Sequence, residues 1–248
     1  MIVLKTQTEL ETMKLACKIS ADALNVAEEL IKPDITTKEI DRKMYEYIKK
    51  CGATPSFLGY MDYPASACIS VNDVVIHGIP SGYRLKHGDI VSIDVGAYYK
   101  GFHGDNAYTF IVGDTTDEIK SLLKETEASL YKGIEQAIVG NRVGDISNAI
   151  ETHVSQFGYG IVRQFVGHGV GKKLHEEPEV PNFGRPGRGP RLVEGMTLAI
   201  EPMINLKGDA VKVMDDGWTT KTVSGTASAH FEHTIAITRN GPVILTKR

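Results

Sequence analysis

The sequence predicts an α+β protein built from two similar helix-helix-strand halves around an antiparallel β-sheet, and three observations point there. First, Ile90 to Val112 holds two β-rich runs joined through Lys100-Gly101-Phe102-His103-Gly104, the pattern of a hairpin. Second, two helix pairs flank it, one before Gly52 and one before Gly158. Third, sliding the chain by about 106 positions superposes Ile40 on Ile146, Ile48 on Val154 and Gly52 on Gly158, a thin internal repeat. Two such halves facing one another across a sheet make one pseudo-symmetric domain over residues 1–248.

The elements follow in order. From Thr8 to Leu30, apolar Leu10, Met13, Ala16 or Cys17, Ala23 or Leu24, and Ala27 fall near helical spacing, with Thr6 or Thr8 as the cap and Pro33 as the stop. Asp34 to Lys50 reads as a second helix on Ile35, Ile40, Met44, Tyr47 and Ile48. Thr54 to Pro64 reads as an aromatic loop. Cys68 to Val71 and Val74 to His77 read as short strands around Asn72-Asp73. Beyond the hairpin, Thr116 to Val139 and Gly144 to Phe157 are helical by period, and Val166 to Pro190 is loop-like in its glycine, proline and charge. Thr197 to Ile200, Ala210 to Met214 and Phe231 to Thr238 are the last strand candidates.

Composition sets the class. A chain of 248 residues, 42% hydrophobic and 24% charged, reads as an ordinary soluble globular protein. Its net charge of -3 and pI near 6.2 argue against a dedicated DNA or RNA binder. Cys17, Cys51 and Cys68 are odd in number and lack CxxC spacing, which argues against a disulfide framework or a thiolate zinc site and fits a reducing cytoplasm. Nothing resembles a secretory leader or a membrane span.

The chemistry starts from an anomaly. Asp94 and Asp105 stand in the two runs of the hairpin, where aspartate is disfavoured. Later segments add Gly167-His168-Gly169, Ile200-Glu201-Pro202 and Phe231-Glu232-His233. Four carboxylates and one imidazole cannot share a protein interior without cations, because desolvation and repulsion would protonate some of them. Oxygen-rich ligation with one imidazole suits cobalt, manganese, iron(II) or zinc, and four carboxylates suit two divalent ions better than one. Such ions would activate water and polarise a carbonyl at neutral pH, the chemistry of a peptide hydrolase. His77, ending a strand, and His175, in Leu174-His175-Glu176-Glu177-Pro178, are further candidates. His87, His103, His153, His230 and His233 read by default as surface or supporting residues, and His233 should point away from Glu232.

These residues lie in four pieces: Cys68 to Pro80, Ile93 to Gly96 with Phe102 to Asp105, Gly167 to Gly171 with His175 to Pro178, and Phe231 to Thr234. Together they resemble the type I methionine aminopeptidases, which have the pita-bread metallopeptidase fold, over the chain from about Thr6 onward. The resemblance implies that Asp94 binds one divalent ion, His168 and Glu201 the other, and that Asp105 and Glu232 bridge both. It implies a substrate contact for His77 near the scissile nitrogen, a carbonyl-oxygen contact for His175, and a proton-carrying role for Glu201. It implies a methionine pocket of Phe57, Tyr60, Tyr63, Cys68, Leu174 and Trp218, and a monovalent cation held at Asn72, Val74 and Ser228.

Many bacterial relatives carry Cys in place of Phe57, Phe in place of Leu174 and Gln near His230, departures that bear on selectivity and leave the ligands intact. The implied activity is removal of the initiator methionine from nascent polypeptides whose second residue is small, so Met1 before Ile2 should be retained. The absence of a zinc-binding N-terminal extension and of the type II insert implies a bacterial-type cytoplasmic form, expected as a monomer. The segment from Lys172 to Arg191, with Lys173, Arg185 and Arg188, is the candidate ribosome contact; on charge alone a solvated surface loop is the commoner meaning. The rivals are an X-Pro aminopeptidase or dipeptidase on the same fold, which usually carries an additional N-terminal domain, and a catalytically silent ribosome- or RNA-binding member.

Overall fold

The computed structural model describes residues 1–248. Helices α1 (Gln7–Leu30) and α2 (Thr37–Lys50) begin with the same device: Thr6 and Thr36 each accept a bond from the backbone N–H three residues on, and Glu9 and Glu39 reach back to the cap. The second helix starts later than the expected Asp34 because Asp34 has a left-handed φ of 71°, which no helix accommodates. Strands β1 (Thr54–Pro55), β2 (Ala67–Val71) and β3 (Val74–Ile76) follow, and then the long hairpin β4 (Ile90–Tyr99) and β5 (Phe102–Ile111). Lys100 and Gly101 both have positive φ, so the turn takes two residues and Gly104 falls inside β5.

The second half repeats the plan with α3 (Asp117–Glu135) and α4 (Val143–Val154). The former stops short of Val139, since Ile138 and Val139 are exposed and offer the core nothing. A 3-10 turn, Ser155–Phe157, finishes the latter. Gly52 and Gly158 both adopt φ of 72°, so the superposed positions end both helix pairs in the same left-handed turn. Then come β6 (Gly160–Ile161), β7 (Gly167–Gly169), β8 (Glu176–Val180), β9 (Thr197–Ile200), β10 (Met203–Asn205), β11 (Val211–Val213), β12 (Thr220–Thr222), β13 (Ser228–His230), β14 (Glu232–Thr238) and β15 (Gly241–Ile244).

The segment from Val166 to Pro190, expected to be loop, thus contains two strands. Its glycines signal close packing: a Cβ on Gly167 would lie 2.4 Å from the Ala199 carbonyl oxygen, and one on Gly169 2.3 Å from that of Glu177. The aromatic loop from Thr54 to Pro64 likewise contains β1 and a 3-10 turn at Tyr60–Asp62.

One antiparallel sheet dominates, in the order β1-β4-β5-β14-β9-β7-β8, with β2 also on β4 and β15 on β14. Two three-stranded sheets, β13-β10-β6 and β11-β12-β3, complete the molecule. Two large apolar clusters match the two halves. One joins α1 and α2 to β2 and β4 through Leu24, Ile40, Met44, Ile69 and Ile93; the other joins α3 and α4 to β9 and β14 through Leu122, Leu130, Ile146, Ile150 and Ile235. The fold is the expected α+β, pita-bread arrangement, with helices laid on a curled sheet.

Helix α1 lies directly on β5, because Gly104 has no side chain to hold it away. A Cβ there would come within 2.4 Å of Cys17 Cα and 2.5 Å of its nitrogen. Neighbouring Asp105 must then face the opposite side of the sheet. Gly104→Ala should therefore lower stability by about 1–3 kcal/mol, the usual range for overpacking. An unchanged melting temperature in thermal unfolding would contradict this packing.

Candidate metal centre and pocket

Register brings the candidate ligands together. Asp94 on β4 pairs with Ala107 on β5, and Ala107 pairs in turn with Glu232 on β14. Asp105 lies two residues from Ala107 on the same face. On the far side of β14, His233 pairs with Ile200 on β9, one residue before Glu201, and His168 on β7 pairs with Ala199. Five strands lying side by side thus deliver one polar side chain each, Glu201 from just beyond its strand. All five line one cavity of about 190 Å³.

The cavity is poorly supplied with compensating groups. Asp94 Oδ1, Asp105 Oδ1 and Glu232 Oε1 are buried without a hydrogen-bond partner. His168 Nε2 stands 3.8 Å from Asp105 Oδ2 and 3.6 Å from Glu201 Oε1, and His230 Nε2 stands 3.5 Å from Glu201 Oε2. Ion pairing does not explain these approaches. Burial lowers His168 and His230 to about 3, so both rings are neutral. Burial and then mutual repulsion push Asp94, Glu201 and Glu232 well above the carboxylate range, and burial holds Asp105 at about 7.

A divalent ion fits this donor set. Ligand atoms of Asp105, His168 and Glu232 lie within 4.8 Å of one another, and so do those of Glu201, His230 and Glu232. His168 Nδ1 lies 2.8 Å from the Gly169 carbonyl oxygen, which can only accept, so Nδ1 carries the proton and Nε2 presents a lone pair to the cavity.

The same cavity brings together all the remaining expected pocket residues: Phe57, Tyr60, Tyr63, Cys68, His77, Leu174, His175 and Trp218. Tyr63 donates its hydroxyl to the carbonyls of Ala67 and Gly78, turning its polar end into the backbone, and its ring meets Trp218 edge-on at 5.0 Å. His77, at a positive φ of 58°, touches the rings of Trp218 and Phe165, and burial lowers it to about 4. His175 lies 4.2 Å from His168, centroid to centroid, and its Nδ1 is 2.7 Å from the Tyr60 hydroxyl. Asn72 and Ser228 also meet, since Ser228 N–H donates to the Asn72 carbonyl. Val74 sits on the nearby strand β3, paired with Lys221.

Of the five histidines expected at the surface or in support, only His87 is exposed; His103, His153 and His233 are half-buried and His230 is buried. His103 bonds Ser56 through Nδ1, His233 bonds Thr246, and His230 is 1% exposed and reaches the cluster. Continuous extended backbone would put residues 230 and 232 on one face, but His230 ends β13 and Glu232 begins β14 in another sheet, so the sequence alone did not place the ring. Met61 also lines the cavity and carried no sequence signal.

A curled antiparallel sheet with helices on one side and a buried carboxylate-imidazole cluster on the other defines the pita-bread metallopeptidases. The chain belongs to metallopeptidase family M24, whose model matches residues 11–239. It is 56% identical to a methionine aminopeptidase of Clostridium perfringens, covering 99% of each chain, and 51% identical to methionine aminopeptidase 1 of Bacillus subtilis, covering 100% of each. The crystal structure of a methionine aminopeptidase from Thermotoga maritima superposes with a TM-score of 0.98 at 47% identity, covering 100% of each chain.

The raised carboxylate values have a consequence for the metal-free protein. Groups whose pKa rises on folding stabilise the fold at low pH and cease to do so as pH climbs through the raised value, here about 7 for Asp105. His168 and His230 stay neutral across that window. Manganese or cobalt should therefore raise the melting temperature more at pH 8.5 than at pH 6.5, and should displace protons on binding at pH 7. Calorimetry in two buffers of different ionisation enthalpy measures that release; metal binding without it would contradict the buried-carboxylate account.

Proposed function

We propose that this chain is a methionine aminopeptidase that removes the initiator methionine from nascent polypeptides when the second residue is small, acting as one catalytic domain over residues 1–248. The observation that carries the reading is a single cavity with a carboxylate-imidazole floor and a wall of Phe57, Tyr63, Cys68, Leu174 and Trp218, suited to an unbranched thioether. The relatives' shared name supports the substrate, and the resemblance of the motifs supports the roles.

In this reading Asp94, Asp105, His168, Glu201 and Glu232 would hold two divalent ions, Asp94 serving one, His168 and Glu201 the other, and Asp105 and Glu232 serving both; cobalt, manganese, iron(II) and zinc all suit the donors. When bound, such ions supply a hydroxide at neutral pH and polarise the scissile carbonyl. The chain's own residues do the rest. The apolar wall orients the methionine side chain and excludes water. His77, neutral and packed against Trp218, contacts the substrate near the scissile nitrogen. His175, fixed by Tyr60 at Nδ1, presents its other nitrogen to the carbonyl oxygen as negative charge grows there. Glu201 carries the proton from the attacking water to the departing amine. Asn72, Val74 and Ser228 would hold a monovalent cation, a role that the resemblance of the motifs supports.

No helix is long and apolar enough to cross a membrane; the protein is proposed to meet nascent N-termini in the cytoplasm as a monomer. The ribosome is the proposed docking partner of the segment from Lys172 to Arg191. Its exposed Lys173, Arg185, Arg188 and Arg191 stand in a chain segment that also exposes Glu177 and Glu179, so the surface is mixed in sign.

With metal supplied, the protein should cleave a Met-Ala peptide, spare Met-Ile and spare Ala-Pro; preference for Ala-Pro would replace this reading with an X-Pro peptidase. Asp105→Ala or Glu232→Ala should lower turnover by about a hundredfold or more, as removal of essential electrostatic groups does. Near-normal turnover of either variant would defeat the assignment.

A further inference from the structure

One buried side chain beside Glu201 and Glu232 has no role in the scheme above. His230, the last residue of β13, is 1% exposed, and its Nε2 has no hydrogen-bond partner. An ordinary core histidine satisfies both ring nitrogens, because an unpaired buried polar atom costs about 1–3 kcal/mol. Nε2 instead lies 3.5 Å from Glu201 Oε2, at the outer limit of a hydrogen bond, and a ring nitrogen of His230 lies within 4.8 Å of ligand atoms of both Glu201 and Glu232.

The backbone leaves this ring little freedom. Thr109 Oγ1 accepts from the His230 N–H at 3.0 Å and donates to the His230 carbonyl at 2.7 Å, pinning the residue to β5. Main-chain pairing of Met203 with His230 secures it from the other side. The imidazole is thus aimed at the cluster by two neighbouring strands. His168 and His230 stand at opposite oxygens of the Glu201 carboxylate.

We propose that His230 Nε2 is a further protein ligand of the metal centre, beside Glu201 and Glu232; this rests on the peptidase reading above. The centre then has two nitrogen donors where the five-residue set has one. A second imidazole shifts a carboxylate-rich site toward cobalt, zinc and iron(II) and away from manganese, which favours oxygen.

Two measurements on the full-length protein test this. Loaded with cobalt(II), the wild type should show paramagnetically shifted, exchangeable imidazole N–H protons from two ligands in its proton NMR spectrum, and His230→Gln should show one. By calorimetric titration, His230→Gln should weaken cobalt binding by about 10–100-fold, the range for lost ligand-sphere interactions, with a smaller loss for manganese. A single shifted N–H in the cobalt-loaded wild type overturns the inference while leaving the peptidase reading intact, and that result needs no folded variant. Equal cobalt affinity of wild type and His230→Gln overturns it as well. A wild type that takes up no cobalt overturns the peptidase reading and this inference together.

Discussion

Carboxylates crowded into a buried cavity repel one another and have lost the water that would make their charges tolerable, and the architecture around this cavity is arranged about that conflict. Asp94, Asp105, Glu201 and Glu232 resist ionisation when left to themselves, and His168 and His230 resist protonation. Neither population can neutralise the other, so the carboxylates can ionise together only with a cation bound among them. A chain that kept such a cluster for stability alone would do better with apolar residues of similar volume.

The sheet makes the conflict geometrically reproducible. A slip of one residue between β4 and β5, or between β5 and β14, would turn Asp94 or Glu232 toward the helices and scatter the site. Two apolar clusters and the direct seating of α1 on Gly104 hold that register. The aromatic loop and the strand pair β7-β8 then close over the floor, bringing Tyr60 to His175 and His175 to His168. Core packing, strand register and site chemistry are links in one chain of cause.

Much of this was legible in the sequence for physical reasons that can be named. The helix pairs announced themselves by apolar period, and the repeat by glycines that turned out to share a left-handed conformation. The ligand residues stood out as carboxylates inside β-rich runs. Their motifs, through family resemblance, reached pocket residues such as Trp218 that periodicity alone would have left in the core. What escaped were features set by tertiary contact. Glycine in β7 reads locally as flexibility, yet it is there because Ala199 and Glu177 come too close for a side chain. His230 reads as an unremarkable polar residue until two strands fix where it points.

The central claim is that the five side chains gathered by neighbouring strands hold divalent cations. Anomalous diffraction from crystals grown with manganese or cobalt tests it most directly. The account predicts two anomalous peaks inside the cavity, both in contact with Asp105 and Glu232. A fully loaded, active protein whose ions bind elsewhere, with this cluster vacant, would contradict it.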